Sequence, residues 1–522
     1  MSFNFSDEPS EMIMGNNHRA SGLEGLEIPE SAKDESSSLE HEIKEACGVF
    51  GIIAPGEEVA RLAFFALYAL QHRGQESCGI GTFDSSNVFL HKDVGLVSQV
   101  FNENILAKLK GDVAVGHTRY STTGSTNICN AQPILVNYKN INILLAHNGN
   151  LVNATDLRNF LIKKGYRFES TTDSEVMAKL IVFELSQGKD LKAAVKEAFK
   201  QCKGAYSVVI GTNNHLIAVR DPDGVRPLCI GTTTNSKYVI ASESCALDII
   251  GASFIRDVAP GEILFINKQQ KLDSNLLEDA TTGLPLQDPH HCIFELIYFS
   301  RPDSIFKGLT IYHFRKELGR QLAKESPVDA DYVISVPDSG TPAAIGFAEE
   351  LKLPFTEALI KNRYIGRTFI QPSQMLRELG IRLKLNPLKD IIAGKKIIVV
   401  DDSIVRGNTS RKIVRLIKES GAKEVHMRIS SPPVQWPCFY GIDIDSRDQL
   451  IAAKSNTVDE ICNFIGADSL KYISHEGMIK ATGMKKQIFC TACFSGNYPI
   501  KIPAELEGAK LRYEQPETIV TG

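Results

Sequence analysis

The sequence predicts an α/β protein in two parts, a sandwich of β-sheets covered by helices followed by a parallel sheet with helices on both faces. Two observations carry this expectation. From Cys47 to about Ala280, short β-rich runs are set off by Gly, Asn and Asp, with helical periodicity in two places only. Beyond about residue 286, wholly apolar strands each feed a helix, the pattern of a parallel sheet buried on both faces. The 476 residues from Cys47 onward suffice for two large domains at about 100–200 residues each.

Residues 1–46 hold 11 Asp or Glu against 3 Lys or Arg, and the run "DESSSLE". With so little apolar surface to offset the entropy of ordering, they read as a disordered leader, a propeptide open to removal. The leader lacks the basic start and apolar core of a signal peptide, and it is acid-rich where a transit peptide is Arg-rich. Residues 47–285 form the first domain. Its strands are "CGVFGII", "GIGTF", "AVGHTRY", "NILLAHNG", "YSVVIGT", "HLIAVRD" and "YVIASES"; its helices are "VARLAFFALYALQHR" and "SEVMAKLIVFEL". The Pro- and Gly-containing "TTGLPLQDPHH" is the linker. Residues 286–500 form the second domain, with "DYVISVPDSG" leading to "TPAAIGFAEEL" and "KKIIVVDDSIVRGNTS" leading to "RKIVRLIKESGA". Residues 501–522 form a tail. No repeat of fixed period occurs.

The net charge is −4, of which the leader carries −8, so the remainder is +4. That is too mild for a nucleic-acid or membrane-surface partner, and any anion site must be a local cluster. No apolar run approaches the ~18 residues of a membrane span. Eleven scattered cysteines, an odd number, argue against a disulfide framework and for a reducing, cytoplasmic setting.

In "KKIIVVDDSIVRGNTSRKIVRLIKES", Ile397–Val400 read as a buried strand with Asp401 and Asp402 at its carboxyl end, where open α/β sheets bind ligands. The loop that follows offers Ser403, Arg406, Gly407, Asn408, Thr409 and Ser410 before a helix that stops at Gly421. Hydroxyls and N–H groups at a helix N-terminus make an anion site, and Gly407 lets the backbone approach closely. Taken alone, "DDS" also fits an acidic strand end capping a helix. No G-x-x-x-x-G-K-[ST] motif occurs, so the acids do not belong to a nucleoside triphosphatase. Two carboxylates beside a phosphate cradle suit a sugar phosphate, held directly or through Mg²⁺. "VVDDSIVRGNTS" resembles the fingerprint of type I phosphoribosyltransferases, which use phosphoribosyl pyrophosphate (PRPP). Upstream, "IKNRYIGRTFIQPSQMLRELGIRLK" carries Lys361, Arg363 and Arg367 among its basic residues and fits a lid closing on pyrophosphate. "VPDSGTPAA" is a second loop, whose Ser339 is placed to reach the metal or the pyrophosphate.

"KEACGVFGI" sets Cys47 ahead of an apolar run. A lone cysteine there is more often a small core residue. Were the chain cut between Ala46 and Cys47, the new α-amino group, with a pKa of about 7.7–8.0, would serve as the thiol's base, the logic of N-terminal nucleophile enzymes. "QHRGQES", "GHTRYSTTG", "LAHNGNLVN" and "STTDSEV" together resemble the glutaminase domain of class II glutamine amidotransferases, an αββα sandwich. The resemblance implies that Cys47 attacks the glutamine amide, Asn148 and the Gly149 N–H hold the oxyanion, Arg119 pairs with the α-carboxylate, Asp173 pairs with the α-ammonium and Arg73 shapes the pocket.

From Cys47 to about Pro499 the chain thus resembles the glutamine phosphoribosylpyrophosphate amidotransferase family. That resemblance implies conversion of glutamine, PRPP and water to 5-phosphoribosylamine, glutamate and pyrophosphate, the first committed step of purine synthesis. Ammonia would be channelled between the sites, Mg²⁺ would be held by Ser339, Asp401 and Asp402, and a homotetramer would be inhibited by AMP- and GMP-type purine nucleotides. "FCTACFSGNYP" contributes Cys490 and Cys493, a pair open to zinc, redox chemistry or chance. With Cys292 and Cys438 it matches the four-thiolate ligand set of the family branch that carries a [4Fe–4S] cluster, although four cysteines also suit zinc. The remaining cysteines read as small buried hydrophobes. Two other functions were weighed. Other glutaminase-class enzymes would need sugar-isomerase or flavin domains, against which "VVDDSIVRGNTS" stands. A non-catalytic PRPP-binding redox-sensing regulator should have lost some of Cys47, Arg119, Asp173 or the Asp401–Asp402 pair, and all are present.

Overall fold

The computed structural model describes residues 47–503 apart from 86, 121–126, 278–288, 363–384 and 445. The leader, most of the linker and basic segment (including Arg363 and Arg367) and nearly all of the tail lie outside the described residues. The described residues belong to one compact unit.

Two antiparallel sheets build the first half. One has seven strands in the spatial order Ser253–Asp257, Cys229–Thr232, Tyr238–Ala241, Gly48–Ile53, Val113–Arg119, Ser77–Phe83, Val88–Val94. The other has six, in the order Leu272–Leu276, Glu262–Asn267, His215–Arg220, Gly204–Gly211, Ile141–Leu151, Ile134–Tyr138. The sheets face each other across Val49, Val115, Leu144, Val209 and Leu216, the side chains that alternation points inward. Helix Val59–Ala69 covers the first sheet through Ala63, Ala66 and Leu67. Helix Asp173–Ser186 covers the second through Val176, Met177, Leu180 and Ile181, giving the four-layer sandwich.

Helices Ala154–Lys163 and Leu191–Gln201 join that outer layer, so two helices prove too few for this half. Both carry apolar residues at helical spacing, Leu157 and Leu161 in one, Ala194, Val195, Ala198 and Phe199 in the other. Their mostly polar composition hides a narrow apolar stripe, enough for a helix packed on one side only.

The second half centres on a parallel sheet in the order Tyr332–Ser335, Lys396–Asp401, Glu424–Ile429, Ser469–Tyr472. Ile398 and Val400 pack toward helices Ile311–Glu325 and Thr341–Leu351 on one face. Ile397 and Val399 pack toward Ile413, Val414 and Ile417 of helix Asn408–Glu419 on the other. The first of these cores runs on into the first half, where it takes in Val152, Ala205 and Val225 beside Phe294 and Phe494.

Candidate active sites and cysteine quartet

Cys47 directly precedes strand Gly48–Ile53, which pairs with Val113–Arg119. Its thiol donates to the Tyr120 carbonyl at 3.3 Å and accepts from the Tyr120 N–H at 3.4 Å. Burial pushes the thiol up to about 12, against the pull of the Arg119 charge. With its α-nitrogen in a peptide bond, such a thiol is almost wholly protonated near neutrality and a weak nucleophile. The charges of Glu76, Arg73 and Asp173 also reach it, so the strand-end Arg119 and helix-start Asp173 share its surroundings.

Asn148 and Gly149 lie in strand Ile141–Leu151, paired with Gly204–Gly211. The Asn148 amide is fully buried, and neither its oxygen nor its nitrogen has a hydrogen-bond partner among the described residues. Burying an unsatisfied amide is unfavourable, so one kept in a core strand invites a ligand group that completes it. Gly149 has φ +141°, and a Cβ there would lie 2.0 Å from the Ala205 carbonyl oxygen, so only glycine fits.

Asp173 accepts from the Leu151 N–H at 3.0 Å and lies 3.4 Å from His147 Nδ1. Burial opposes its charge, yet His147 and the Leu151 and Ser174 N–H groups hold the carboxyl below its usual range. Arg73 is drawn both to Cys47 and to two glutamates. Its guanidinium is wholly buried and committed to Glu243 and Glu295, and only its Nε turns toward Cys47, donating to the main-chain carbonyl at 3.1 Å. It braces the Cys47 backbone, the contact by which it would shape the pocket expected around that residue.

In the second half, Asp401 and Asp402 close strand Lys396–Asp401, both buried. Asp402 accepts from Ser339 and from Ser403, which brings the two predicted loops together. Burial pushes the Asp402 carboxyl up, although Ser339, Ser403 and Arg315 oppose it. Adjacent buried carboxylates with two hydroxyls on one of them fit a divalent cation, whose charge would offset that cost. Lys361 reaches the same loop through Asp338, with Nζ 2.6 Å from Oδ2. Helix Asn408–Glu419 starts behind Gly407 with no side-chain cap, leaving its positive end toward the loop. Ser410 is buried, Asn408 partly so, Thr409 exposed, and Arg406 donates to Gln449.

Cys292 and Cys490 are register partners on parallel two-residue strands. Cys493 follows one short turn later, and its carbonyl accepts from the N–H groups of Gln435 and Trp436, just ahead of Cys438. Burial pushes the Cys292 thiol up to about 11, against the Arg226 charge, and drives Cys490 and Cys493 well above the usual range. Each of those three thiols senses the charge of others in the set, Cys438 included. Among the described residues no group of three or more His, Cys, Asp or Glu is arranged to hold a metal ion. In number and kind the quartet fits four-thiolate ligation, with Cys292, Cys490 and Cys493 buried, Cys438 partly exposed and the Arg226 cation beside it. Of the other cysteines Cys129 is only half-buried; the rest are buried, as the default reading has it.

Several residues of these sites carry no sequence signal. Tyr120 holds the thiol with main-chain atoms. Glu243, Glu295 and Arg226 surround Arg73 from positions up to 222 residues away, a separation no motif spans.

A four-layer sandwich sharing a core with a parallel sheet, one of whose strands ends in paired buried aspartates, defines a class: a glutamine amidotransferase joined to a phosphoribosyltransferase. Residues 117–248 match the Glutamine amidotransferase domain family and residues 311–430 the Phosphoribosyl transferase domain family. An amidophosphoribosyltransferase of Synechococcus elongatus is 55% identical over 474 residues, covering 90% of this chain and 94% of its own. One from Methanocaldococcus jannaschii is 48% identical, covering 88% and 98%. The B. subtilis glutamine PRPP amidotransferase solved with ADP and GMP superposes with a TM-score of 0.81 at 46% identity, covering 88% of this chain and 98% of that one. The chain belongs to the amidophosphoribosyltransferase family.

Proposed function

We propose that this protein makes 5-phosphoribosylamine, glutamate and pyrophosphate from glutamine, PRPP and water, the entry step of purine synthesis. The observation that carries the reading is the unsatisfied Asn148 amide, kept in the same compact unit as the Asp401–Asp402 phosphate loop. Cleavage ahead of Cys47 frees an amine that takes the thiol's proton. The thiolate attacks the glutamine amide, the Asn148 amide and Gly149 N–H receive the oxyanion, and Arg119 and Asp173 hold the α-carboxylate and α-ammonium. Ammonia kept from bulk water stays unprotonated and reaches C1 of the ribose as a nucleophile. At the second site the N-terminus of helix Asn408–Glu419 and residues 403–410 cradle the 5-phosphate. Asp401 and Asp402 orient the ribose hydroxyls, and Lys361 binds pyrophosphate together with Arg363 and Arg367, which lie outside the described residues. Asp401, Asp402 and Ser339 would hold Mg²⁺, which would supply positive charge against the departing pyrophosphate.

Cys292, Cys438, Cys490 and Cys493 would hold a [4Fe–4S] cluster, whose part would be structural or oxygen-sensing, since the reaction transfers no electron. The B. subtilis enzyme's complex with ADP and GMP supports purine-nucleotide feedback here. A cytoplasmic homotetramer completes the reading. The test is intact mass and iron content of protein purified without oxygen, with glutamate release measured with and without PRPP. The reading expects a mass starting at Cys47, four iron atoms per chain as the cluster requires, and glutaminase activity stimulated by PRPP. Processed, iron-loaded protein inactive with both glutamine and ammonia would leave only the regulator.

A further inference from the structure

Two chains of contacts converge on the glutaminase centre from opposite sides, and a single carboxylate joins them. Glu295 opens the helical turn Glu295–Phe299 in the second half. It takes a two-pronged contact from Arg73, Nη1 to Oε2 at 2.9 Å and Nη2 to Oε1 at 2.8 Å. Arg73 Nε passes this on to the Cys47 carbonyl at 3.1 Å. The same Oε1 lies 3.1 Å from Arg226 Nη1, and Arg226 Nη2 donates to the Gly441 carbonyl at 3.2 Å. Gly441 presses on the predicted oxyanion glycine: a Cβ at 441 would come within 2.9 Å of Gly149 Cα. Asn150 ties down the same loop by donating to the Phe439 carbonyl at 3.0 Å.

Arg73, Arg226 and Glu295 are all 3% exposed or less. A fork-to-fork arginine–carboxylate contact fixes direction as well as distance. One arm ends on the main chain of the residue bearing the thiol. The other ends on backbone touching the residue whose N–H faces the developing charge. A carboxylate that served stability alone would have no reason to terminate both.

We propose that Glu295 is a positioning residue for the glutaminase reaction, contributed by the phosphoribosyltransferase half, which sets the Cys47 main chain against Gly149 through Arg73 on one side and Arg226–Gly441 on the other. This rests on the reaction assigned above. Glu295 touches neither glutamine nor the reacting atoms, and it acts by geometry alone. A shift of about 1 Å at a reacting centre is enough to lose about 10²-fold in rate.

The experiment compares glutamine-dependent with ammonia-dependent phosphoribosylamine synthesis in full-length, processed wild type, Glu295→Gln and Glu295→Asp. In Glu295→Gln, kcat with glutamine should fall about 10²-fold, with KM for glutamine little changed and ammonia-dependent synthesis far less affected. Glu295→Asp, which keeps the charge, should restore part of the loss. A merely structural role would lower both activities in step, and that outcome, or an unchanged ratio, overturns the proposal. If Glu295→Gln does not fold, Glu295→Asp decides on the same ratio, because it leaves both arginines compensated. A wild type inactive with both nitrogen sources would instead overturn the assigned reaction, and this proposal with it.

Discussion

At Cys47 the fold works against the chemistry proposed for it, because burial raises the thiol to about 12 and keeps it protonated. Only a base within reach of the sulfur changes that, and the residue's own α-amine is the one the sequence offers. Cys47→Ser should therefore abolish glutamine-dependent synthesis while leaving ammonia-dependent synthesis in place, measured side by side. Asn148→Ala removes the proposed oxyanion donor and should lower kcat with glutamine by about 10²–10³ with a small change in KM. An equal loss in ammonia-dependent synthesis would deny Asn148 that part. The "HRG" and "HNG" tripeptides were legible as a glutaminase pattern. That the Arg73 guanidinium would be spent on two glutamates was not, since a sequence shows a charge without showing its partner.

Among the elements, strand Lys396–Asp401 and helix Asn408–Glu419 bear out the reading of a buried strand feeding an amphipathic helix. Gly407 at their junction has φ +78°, and a Cβ there would sit 2.7 Å from Ile451 Cδ1. Gly407→Ala should raise KM for PRPP at least about tenfold, the loss expected when a helix N-terminus is shifted from its anion by around 1 Å. Its glutaminase activity without PRPP should stay near wild type. Ile417, wholly buried on the same helix, tests the packing: Ile417→Ala should cost about 2–5 kcal/mol in urea unfolding. Strand runs and the phosphate-loop helix were legible because their apolar period is strong. Helices Ala154–Lys163 and Leu191–Gln201 were missed because each presents a narrow stripe in a mainly polar sequence.

On the scale of the whole molecule, the halves are joined by buried charge as well as by a common core. Arg73 and Arg226 face Glu243 and Glu295, two cations against two anions with no more than 4% exposure. Glu243→Ala removes one partner and should destabilise by about 3–5 kcal/mol, because Arg73 is left under-compensated in the interior. Stability should also decline on acidification. Burial lowers His117 and His291 to about 3, so below about pH 6.5 the unfolded chain binds two protons that the native chain refuses. Burial raises Asp221 to about 7, so between about pH 7 and 4 the native chain binds one proton that the unfolded chain releases. Between about pH 6 and 4 the two histidines therefore draw stability down on acidification, and Asp221 offsets part of that loss. Urea midpoints across that range test the balance: Asp221→Asn should steepen the fall and His117→Asn should flatten it.

Local order came from the chain itself: strand and helix periods, the hydroxyl-rich loop, the glutaminase tripeptides and the four cysteine positions. These are features whose physics acts over a few residues, through backbone geometry and side-chain alternation. The tertiary structure alone decided which charges meet. It committed Arg73 to two glutamates and the Cys47 carbonyl, set Gly441 against Gly149 and brought Ser339 to Asp402 across 63 residues. Burial makes such pairings obligatory, because a charge withdrawn from water must find its counter-charge wherever the fold delivers one.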